Sequence, residues 1–265
     1  YDVVPVIDGA FFRFDEYLAR FLSSMENLHL DPGMSKRDIK AALHQMVSKS
    51  RLRDSYVAMV CSRGKPKIAG SRDPRDCDNH FFAWCVPYVH VIKPEVVEQG
   101  ATAWIAQNAY RIPENSVNPL VKNYHWGDFT QGIFEAKNKD YETVILLDYD
   151  GNVTEGPGFN VFAVKDKVLI TPDRGVLAGV SRKTVLEMAE HLGINTSIRS
   201  LSVEELLEAD EVFLSSSGGG VIPIIRVNET IFGNGASGPI SVQLNKTYWT
   251  WTTLEKYRDP IDYAL

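Results

Sequence analysis

The sequence has few cysteines and no excess of positive charge. Its 265 residues include only Cys61, Cys77 and Cys85, and no two of them are separated by two residues. An odd number with this spacing indicates neither a disulfide framework nor a zinc knuckle, so we expect reduced thiols and no metal site. The 28 basic and 34 acidic residues give a net charge of −6, which offers no general attraction to nucleic acid or to an anionic membrane.

Long apolar runs and several common enzyme motifs are missing as well. No stretch approaches the roughly 18 uninterrupted apolar residues of a membrane-spanning helix, and the N-terminus lacks the basic-then-apolar order of a signal peptide. We therefore expect a cytoplasmic location. There is no G-x-S-x-G elbow, no H-E-x-x-H zinc motif and no phosphate-binding P-loop, which disfavours hydrolase, zinc-dependent and P-loop nucleotide chemistry.

The elements that are present mix strands with helices. With 44% hydrophobic and 23% charged residues, the composition indicates a folded protein of one or two domains. Pro94 and Gly100 interrupt the apolar pattern between two predicted strands. We predict a mixed α/β (α+β) fold with a small domain at 1–92, a linker at 93–100 and a large domain at 101–265. Because Tyr1 opens directly on a strand-like run, we expect the first strands of the small domain to be missing.

Local patterns predict where individual elements begin and end. Asp8-Gly9 predicts a hairpin turn, Asp15 an N-cap, and Ser35 with Asp38 a capping box. Strands at 55–61 and 81–92 enclose a polar run at 63–79 that is predicted to be a long loop. The other predictions used below are a strand at 152–164 and helices at 127–137, 181–192, 203–207 and from 241 onward.

Lys122 stands in an unusual setting for a lysine. It lies in the run VKNYHW at 121–126, among aromatic side chains. Partial desolvation there would disfavour the ammonium form, lower the pKa and make the amine a nucleophile toward an aldehyde or ketone. The run therefore predicts Schiff-base chemistry. A lysine that extends past apolar neighbours at a helix start is the structural alternative.

Glu155 interrupts what would otherwise be a regular strand. In the run TEGPGFNVF at 154–162, an acid and two glycines break the strand pattern. Glycine allows another group to approach the backbone closely, and an acid in a dry site can face a basic ring nitrogen. A bulged hairpin with a solvent-facing glutamate is the alternative.

Two further segments have the composition of phosphate-binding sites. The run LAGVSR at 177–182 leads from a turn into a predicted helix, and SSSGGG at 215–220 follows a predicted strand. Helix amides and serine hydroxyls together can bind an anion, whereas ordinary capping and a flexible turn are the alternatives. With an imine-forming lysine and a ring-nitrogen acid, these segments describe a pyridoxal 5′-phosphate site better than a site for any other cofactor.

These four segments, in this order, resemble the fold-type IV pyridoxal-phosphate enzymes. The matching residues are VKN at 121–123, EGxGxNVF at 155–162, GVSR at 179–182 and SSS at 215–217. The group includes branched-chain aminotransferases, D-amino acid aminotransferases, aminodeoxychorismate lyases and (R)-selective amine transaminases, and the similarity extends over essentially the whole chain. Within it, NYHWGD at 123–128 and TPDRGVL at 171–177 are most similar to the (R)-selective amine transaminases.

The resemblance implies a set of site residues and a two-domain fold-type IV fold. Lys122 would form the Schiff base with pyridoxal phosphate, and Glu155 would keep the ring nitrogen protonated. The other residues implied to bind the cofactor are Arg20, which would hold the phosphate, Leu177, Val180, Ser181, Ser216 and Ser217. The residues implied to line the substrate pocket are Tyr1, Tyr56, Trp126 and Arg72. A homodimer is implied as well.

Two positions depart from the pattern of the amine transaminases. Ala69 stands where those enzymes keep an arginine for the substrate carboxylate, so that Arg72 or Lys67 would have to substitute, and Ala58 stands where an acid is usual. We predict a transaminase that moves an amino group between a primary amine or amino acid and a keto acid, of the (R)-selective amine:pyruvate type. A branched-chain or D-amino acid aminotransferase, an aminodeoxychorismate lyase and a non-catalytic binding protein on the same fold are the alternatives.

Overall fold

The structure, a computed structural model, describes residues 1–264 and divides the chain into two compact units. The first unit contains residues 1–89, 121–124 and the C-terminal segment from Leu254, and the second contains residues 90–120 and 125–253. Lys122 thus belongs to the first unit by its contacts. Contacts define these two units, and they do not show whether either unit folds independently. The domain bounds predicted from the sequence, 1–92 and 101–265, therefore stay a prediction.

The first unit combines an antiparallel sheet with two helices. Its strands are ordered β14-β2-β1-β3-β4. The strands are β1 (Asp2–Ile7), β2 (Ala10–Phe12), β3 (Ser55–Pro66), β4 (Cys77–Pro87) and β14 (Arg258–Pro260), and the helices are α1 (Phe14–Asn27) and α2 (Lys36–Ser50). Apolar side chains of α1 and α2, among them Phe21 and Leu43, are fully buried, which gives this unit its own core.

Two of the local predictions for this unit are confirmed and one is wrong. Asp8 and Gly9 adopt positive φ angles in the turn between β1 and β2, and the Ser35 hydroxyl accepts the Asp38 amide at the start of α2. Asp15 is not an N-cap. The helix begins at Phe14 because the Arg13 carbonyl already accepts the first amides, and Asp15 lies in the first turn.

The predicted loop between β3 and β4 is shorter than expected. The ladder continues through the pairs Lys65 with Asp78 and Pro66 with Cys77, so only residues 67–76 lie outside the two strands. The predicted strand at 81–92 is wrong at both ends, since β4 begins at Cys77 and ends at Pro87. Hydrogen bonds between β3 and β4 extend the ladder into the polar run at 63–79, whose composition is typical of a loop.

The second unit is a mixed sheet with helices. Its strands are ordered β10-β9-β8-β11-β12-β5-β6, with parallel pairs β9/β10, β12/β5 and β5/β6. The strands are β5 (Ala101–Tyr110), β6 (Thr143–Leu147), β7 (Glu155–Gly156), β8 (Phe159–Lys165), β9 (Val168–Thr171), β10 (Thr196–Ile198), β11 (Glu211–Ser216), β12 (Gly220–Val227) and β13 (Thr230–Ile231). The helices are α3 (Pro94–Gln99), α4 (Gly127–Lys137), α5 (Val180–His191), α6 (Val203–Leu207) and α7 (Pro239–Trp251). The predicted mixed α/β architecture is confirmed.

Apolar clusters hold the second unit together. One cluster collects inward side chains of β5, β8, β11 and β12, and α3 adds Val96 and Val97 to it, so the predicted linker at 93–100 is helical and packed. Another cluster packs α4 against β5 and β6 through Trp104, Phe129 and Leu146. Each fully buried side chain of this kind contributes about 1.5–3 kcal/mol, which makes the sheet a rigid support for the loops at its edges.

The predicted strand at 152–164 is two strands joined by a tight turn. Gly158 has a φ of 85°, a conformation that side-chain-bearing residues rarely adopt, and the chain reverses there between β7 and β8. The reversal pairs Glu155 with Asn160. The helices predicted at 127–137 and 203–207 are confirmed, α5 begins one residue before its predicted start, and α7 begins at Pro239.

Residues 1–264 contain neither a helix suited to a membrane nor a cluster of metal-ligating side chains. None of their helices is both long enough and apolar enough to span a bilayer. The same residues contain no group of three or more histidine, cysteine, aspartate or glutamate side chains arranged to hold a metal ion.

Candidate functional site

Lys122 is held by its backbone beside two tyrosine rings of the first unit. Its amide donates to the Ser24 hydroxyl at 3.1 Å, and its carbonyl accepts the Tyr1 nitrogen at 3.3 Å. The Nζ atom lies 4.7 Å from the centroid of the Tyr1 ring, which stacks on Tyr124 with centroids 4.0 Å apart. The half-buried lysine therefore has an aromatic surrounding in which a planar group can stack.

Arg20, the predicted phosphate ligand, is paired with a carboxylate in the first unit. Its Nε and Nη2 donate to the two oxygens of Asp2 at 2.8 and 2.7 Å, and Asp2 is completely buried. Burial is the largest single influence and lowers the pKa of Arg20, but the charge of Asp2 and its hydrogen bonds, with smaller contributions from Tyr17 and Tyr1, together outweigh burial and the pKa is raised. Arg20 is therefore a permanent cation with a two-point partner, and its role toward phosphate stays a prediction.

The predicted pocket residues of the first unit differ in exposure. Tyr56 packs edge-on against Tyr88, with ring centroids 6.5 Å apart, and its burial raises its pKa, so the phenol stays neutral. Arg72 is exposed and makes no hydrogen bond or ion pair with residues 1–264, whereas Lys67 in the same loop pairs with Asp78. Arg72 is thus available to an anionic ligand in a way that Lys67 is not.

Glu155 is a buried carboxylate surrounded by N–H donors of the second unit. Its side chain is 6% exposed. Oε1 accepts Nε and Nη2 of Arg111 at 3.3 and 3.1 Å, and Oε2 accepts the Leu177 amide at 2.9 Å and the Asn160 side-chain amide at 3.2 Å. Four donors stabilise the ionised form of this acid. Of the two alternatives, the buried acid is observed and the solvent-facing glutamate is not.

Arg111 links Glu155 to a second buried acid, Asp128. The Nη1 atom of Arg111 donates to Asp128 Oδ2 at 2.7 Å, and the guanidinium lies 4.4 Å from the centroid of the Phe129 ring. The same Oδ2 accepts the Ile112 amide at 3.0 Å. We call Arg111, Asp128 and Glu155 the Arg111 network.

The start of α5 has the chemistry of an anion site. The amides of Val180 and Ser181 donate to no acceptor within residues 1–264. The Ser181 hydroxyl lies 3.4 Å from that of Tyr248. A side chain at Gly179 would be impossible without movement, because its Cβ would lie 2.1 Å from Asn160 Oδ1. Glycine thus lets the turn before the helix lie against the hydrogen-bonding partner of Glu155.

The serine run contributes one structural hydroxyl and one buried hydroxyl without a partner. Ser216 donates to the Gly158 carbonyl at 2.8 Å and accepts the Gly218 amide, so it fixes the turn after β11. Ser215 is buried, is paired in register with Asn160, and its hydroxyl has no hydrogen-bond partner among residues 1–264. Ser217 is half-buried. An unsatisfied buried hydroxyl is costly, and a bound ligand is one way to satisfy it.

The residues of the second unit fit pyridoxal phosphate. Unpaired amides at the start of a 12-residue helix suit a phosphate dianion, and a buried ionised acid suits a protonated ring nitrogen. Leu177 is tied to this arrangement by its backbone, since its amide donates to Glu155 and its carbonyl accepts Asn160. Trp126 precedes α4 and packs edge-on against Phe129, which lies under Arg111.

The partners of the predicted charged residues were missed by sequence reasoning. A buried glutamate needs a compensating cation, which was a usable signal, but Arg111 lies 44 residues from Glu155 and shares no motif with it. Asp128 and Asp2 were missed for the same reason. Asp128 ends the run at 123–128, and Asp2 lies in the strand-like run that follows Tyr1. The sequence does not show which arginine each of these acids pairs with.

Comparisons with known proteins agree on one family. The family model described as amino-transferase class IV matches residues 1–227. The D-alanine aminotransferase of Bacillus licheniformis is 29% identical over 248 residues, which cover 91% of this chain and 83% of that protein. The branched-chain-amino-acid aminotransferase of Escherichia coli K12 is 27% identical over 243 residues, with 90% and 77% covered. The crystal structure of the branched-chain aminotransferase from Thermoproteus uzoniensis with norvaline matches with a TM-score of 0.89 at 26% identity, covering 98% of this chain and 89% of that one.

Proposed function

The chain belongs to the class IV aminotransferase family, and from this membership we propose that it moves an amino group between a primary amine or amino acid and a keto acid, as an (R)-selective amine:pyruvate transaminase. Members of the family depend on pyridoxal phosphate, which supplies an electron sink when it is bound. The observation that carries the proposal is the buried Glu155 carboxylate, because an acid held ionised by four N–H donors is what a protonated ring nitrogen requires.

Each residue has a defined part in the proposal. Lys122 would hold the cofactor covalently, and its amine, when free, would carry a proton to and from the α-carbon of the donor. The Val180 and Ser181 amides bind the phosphate from the start of α5. The remaining cofactor contacts come from Arg20, Leu177, Ser216 and Ser217, and the substrate contacts from Tyr1, Tyr56, Trp126 and Arg72.

The donor class is proposed from two runs and one surface residue. NYHWGD at 123–128 and TPDRGVL at 171–177 favour an (R)-amine donor. The keto acid still needs a cation, and Arg72, exposed and unpaired within residues 1–264, can supply it where Ala69 cannot. An amino acid donor of the branched-chain or D-type is the second candidate, because relatives named for those activities cover most of the chain.

Half-reactions separate these candidates. The protein loaded with pyridoxal phosphate is mixed with (R)-1-phenylethylamine, D-alanine or L-leucine, without an acceptor, and the absorbance of the bound cofactor is followed. The proposal expects the fastest change with (R)-1-phenylethylamine. A fastest change with L-leucine or D-alanine would replace it by the corresponding amino acid aminotransferase. Pyruvate released from aminodeoxychorismate without an acceptor would indicate the lyase instead.

The role of Lys122 is tested with a matched lysine. Lys122→Ala should remove the visible absorption of bound cofactor and all turnover, since no other amine replaces the nucleophile. Lys139→Ala is the control, because Lys139 also lies 4.7 Å from an aromatic centroid, that of Trp104. Turnover retained by Lys122→Ala would remove this residue from the mechanism. A protein that binds no pyridoxal phosphate at all would point to the non-catalytic alternative.

The homodimer and the cytoplasmic location are further proposals. Sedimentation of the purified chain at several concentrations would test the first, and fractionation of cells that express the natural protein would test the second.

A further inference from the structure

The bond lengths of the Arg111 network are unequal. Arg111 donates to Asp128 at 2.7 Å and to Glu155 at 3.1 and 3.3 Å. Charge-assisted N–H···O bonds are usually about 2.7–2.9 Å long, so the contact with Asp128 is the stronger of the two. Arg111 thus gives more of its charge to Asp128 than to Glu155.

Asp128 cannot move toward Glu155 to even out this difference. Its Oδ2 also accepts the Ile112 amide at 3.0 Å, and its Oδ1 accepts the Phe129 amide at 2.8 Å at the start of α4. The Arg111 backbone is fixed as well, because its amide donates to the Leu147 carbonyl at 2.8 Å. The Phe129 ring covers one face of the guanidinium. The position of Arg111 is therefore set from the Asp128 side.

Arg111 shares its charge between two carboxylates. Arg111 faces two carboxylates, and the two other donors to Glu155 are neutral amides of Leu177 and Asn160. Arg182 also feels the Glu155 charge, but it is shared with Asp173 and donates to Thr171 and the Pro172 carbonyl. Both guanidinium groups near Glu155 are thus shared with a second acid, and an ionised Glu155 still attracts a cation such as a protonated ring nitrogen.

We propose that Asp128 and Arg111 are positioning residues that keep Glu155 negatively charged toward the ring nitrogen of pyridoxal phosphate. The inference rests on the proposed function. By holding Arg111, Asp128 prevents it from forming a full two-point ion pair with Glu155, in which Arg111 instead of the ring nitrogen would balance the charge of the ionised acid. Neither residue is assigned a contact with the cofactor.

The test compares Asp128→Asn with Asp148→Asn in the full chain. Asp148 likewise accepts backbone amides, from Asp150 and Asn152, but has no link to Arg111. Asp128→Asn should weaken pyridoxal phosphate binding about tenfold and shift the pH dependence of the bound cofactor's visible absorption, because Arg111, no longer held by an acid at position 128, would balance the charge of Glu155 in place of the ring nitrogen. Asp148→Asn should change neither.

A cofactor analogue separates this role from a merely structural one. In 1-deazapyridoxal phosphate a carbon replaces the ring nitrogen, so wild type and Asp128→Asn should bind it equally well. Equal weakening for both compounds would overturn the inference. Arg111→Lys keeps the positive charge but cannot donate to both acids as the planar guanidinium does. It should therefore also weaken the binding of pyridoxal phosphate and not that of the analogue. This variant replaces Asp128→Asn if circular dichroism shows that Asp128→Asn is unfolded. A wild type that binds neither compound would refute the proposed function itself.

Discussion

Each unit of the molecule buries an arginine against acids, and the two sites differ in how many acids there are. In the first unit, Arg20 donates to the two oxygens of Asp2 at 2.8 and 2.7 Å. In the second, Arg111 meets Asp128 and Glu155. The first pair has one acid for one arginine, whereas the Arg111 network has two acids for one arginine. Removing one partner of a buried one-to-one pair leaves an uncompensated charge, whereas a site with more acids than arginines has a carboxylate with which a cationic ligand can pair.

We expect the largest loss of stability when the buried Asp2 carboxylate loses the arginine with which it forms an ion pair. Arg20→Met leaves Asp2 completely buried without its cation and should lower the free energy of unfolding by about 3–5 kcal/mol in urea titrations. Repeating the titration with and without pyridoxal phosphate separates any loss of cofactor binding.

An exposed pair provides the control for that variant. Arg199 pairs with Glu205 on the surface of the second unit, and Arg199→Met should cost no more than about 1 kcal/mol. Equal losses for Arg199→Met and Arg20→Met would show that burial does not distinguish the two pairs.

The second expected effect is an intermediate one, in the Arg111 network. Asp128→Asn removes one of two acids, and Arg111 stays paired with Glu155, so the free energy of unfolding should fall by about 1.5–3 kcal/mol, the value of a hydrogen bond to a charged group. Urea titration of the cofactor-free protein measures it. A loss as large as that of Arg20→Met would mean that Glu155 does not share the charge of Arg111, and the contrast between the two sites would fail.

The smallest expected effect concerns the ring beneath Arg111. Phe129→Leu keeps an apolar side chain but removes the ring face 4.4 Å from the guanidinium, and we expect a loss of about 1–2 kcal/mol by thermal or urea unfolding. Phe134→Leu on the same helix, at a position 67% exposed, should change stability by no more than about 0.5 kcal/mol. If Phe129→Leu costs less than about 0.5 kcal/mol, the ring contributes little to holding Arg111, and Asp128 is the residue that orients it.

Much of the local structure could be predicted because the deciding interactions lie within a few residues. The Ser35 cap of α2, the Asp8-Gly9 turn and the bounds of α4 depend on backbone bonds and side chains three or four positions apart. The errors arose where a distant partner decided. β4, for example, begins earlier than predicted because β3 continues the ladder.

The candidate site divides in the same way. The runs around Lys122, Glu155, Val180 and Ser216 are local signatures, and by themselves they determined the family and the cofactor. Only the tertiary structure decided that Asp2 meets Arg20 and that Arg111 stands between Asp128 and Glu155. The physical reason is that a buried charge must find an opposite charge, and the path of the chain, not its local pattern, determines which residue is near enough to supply it.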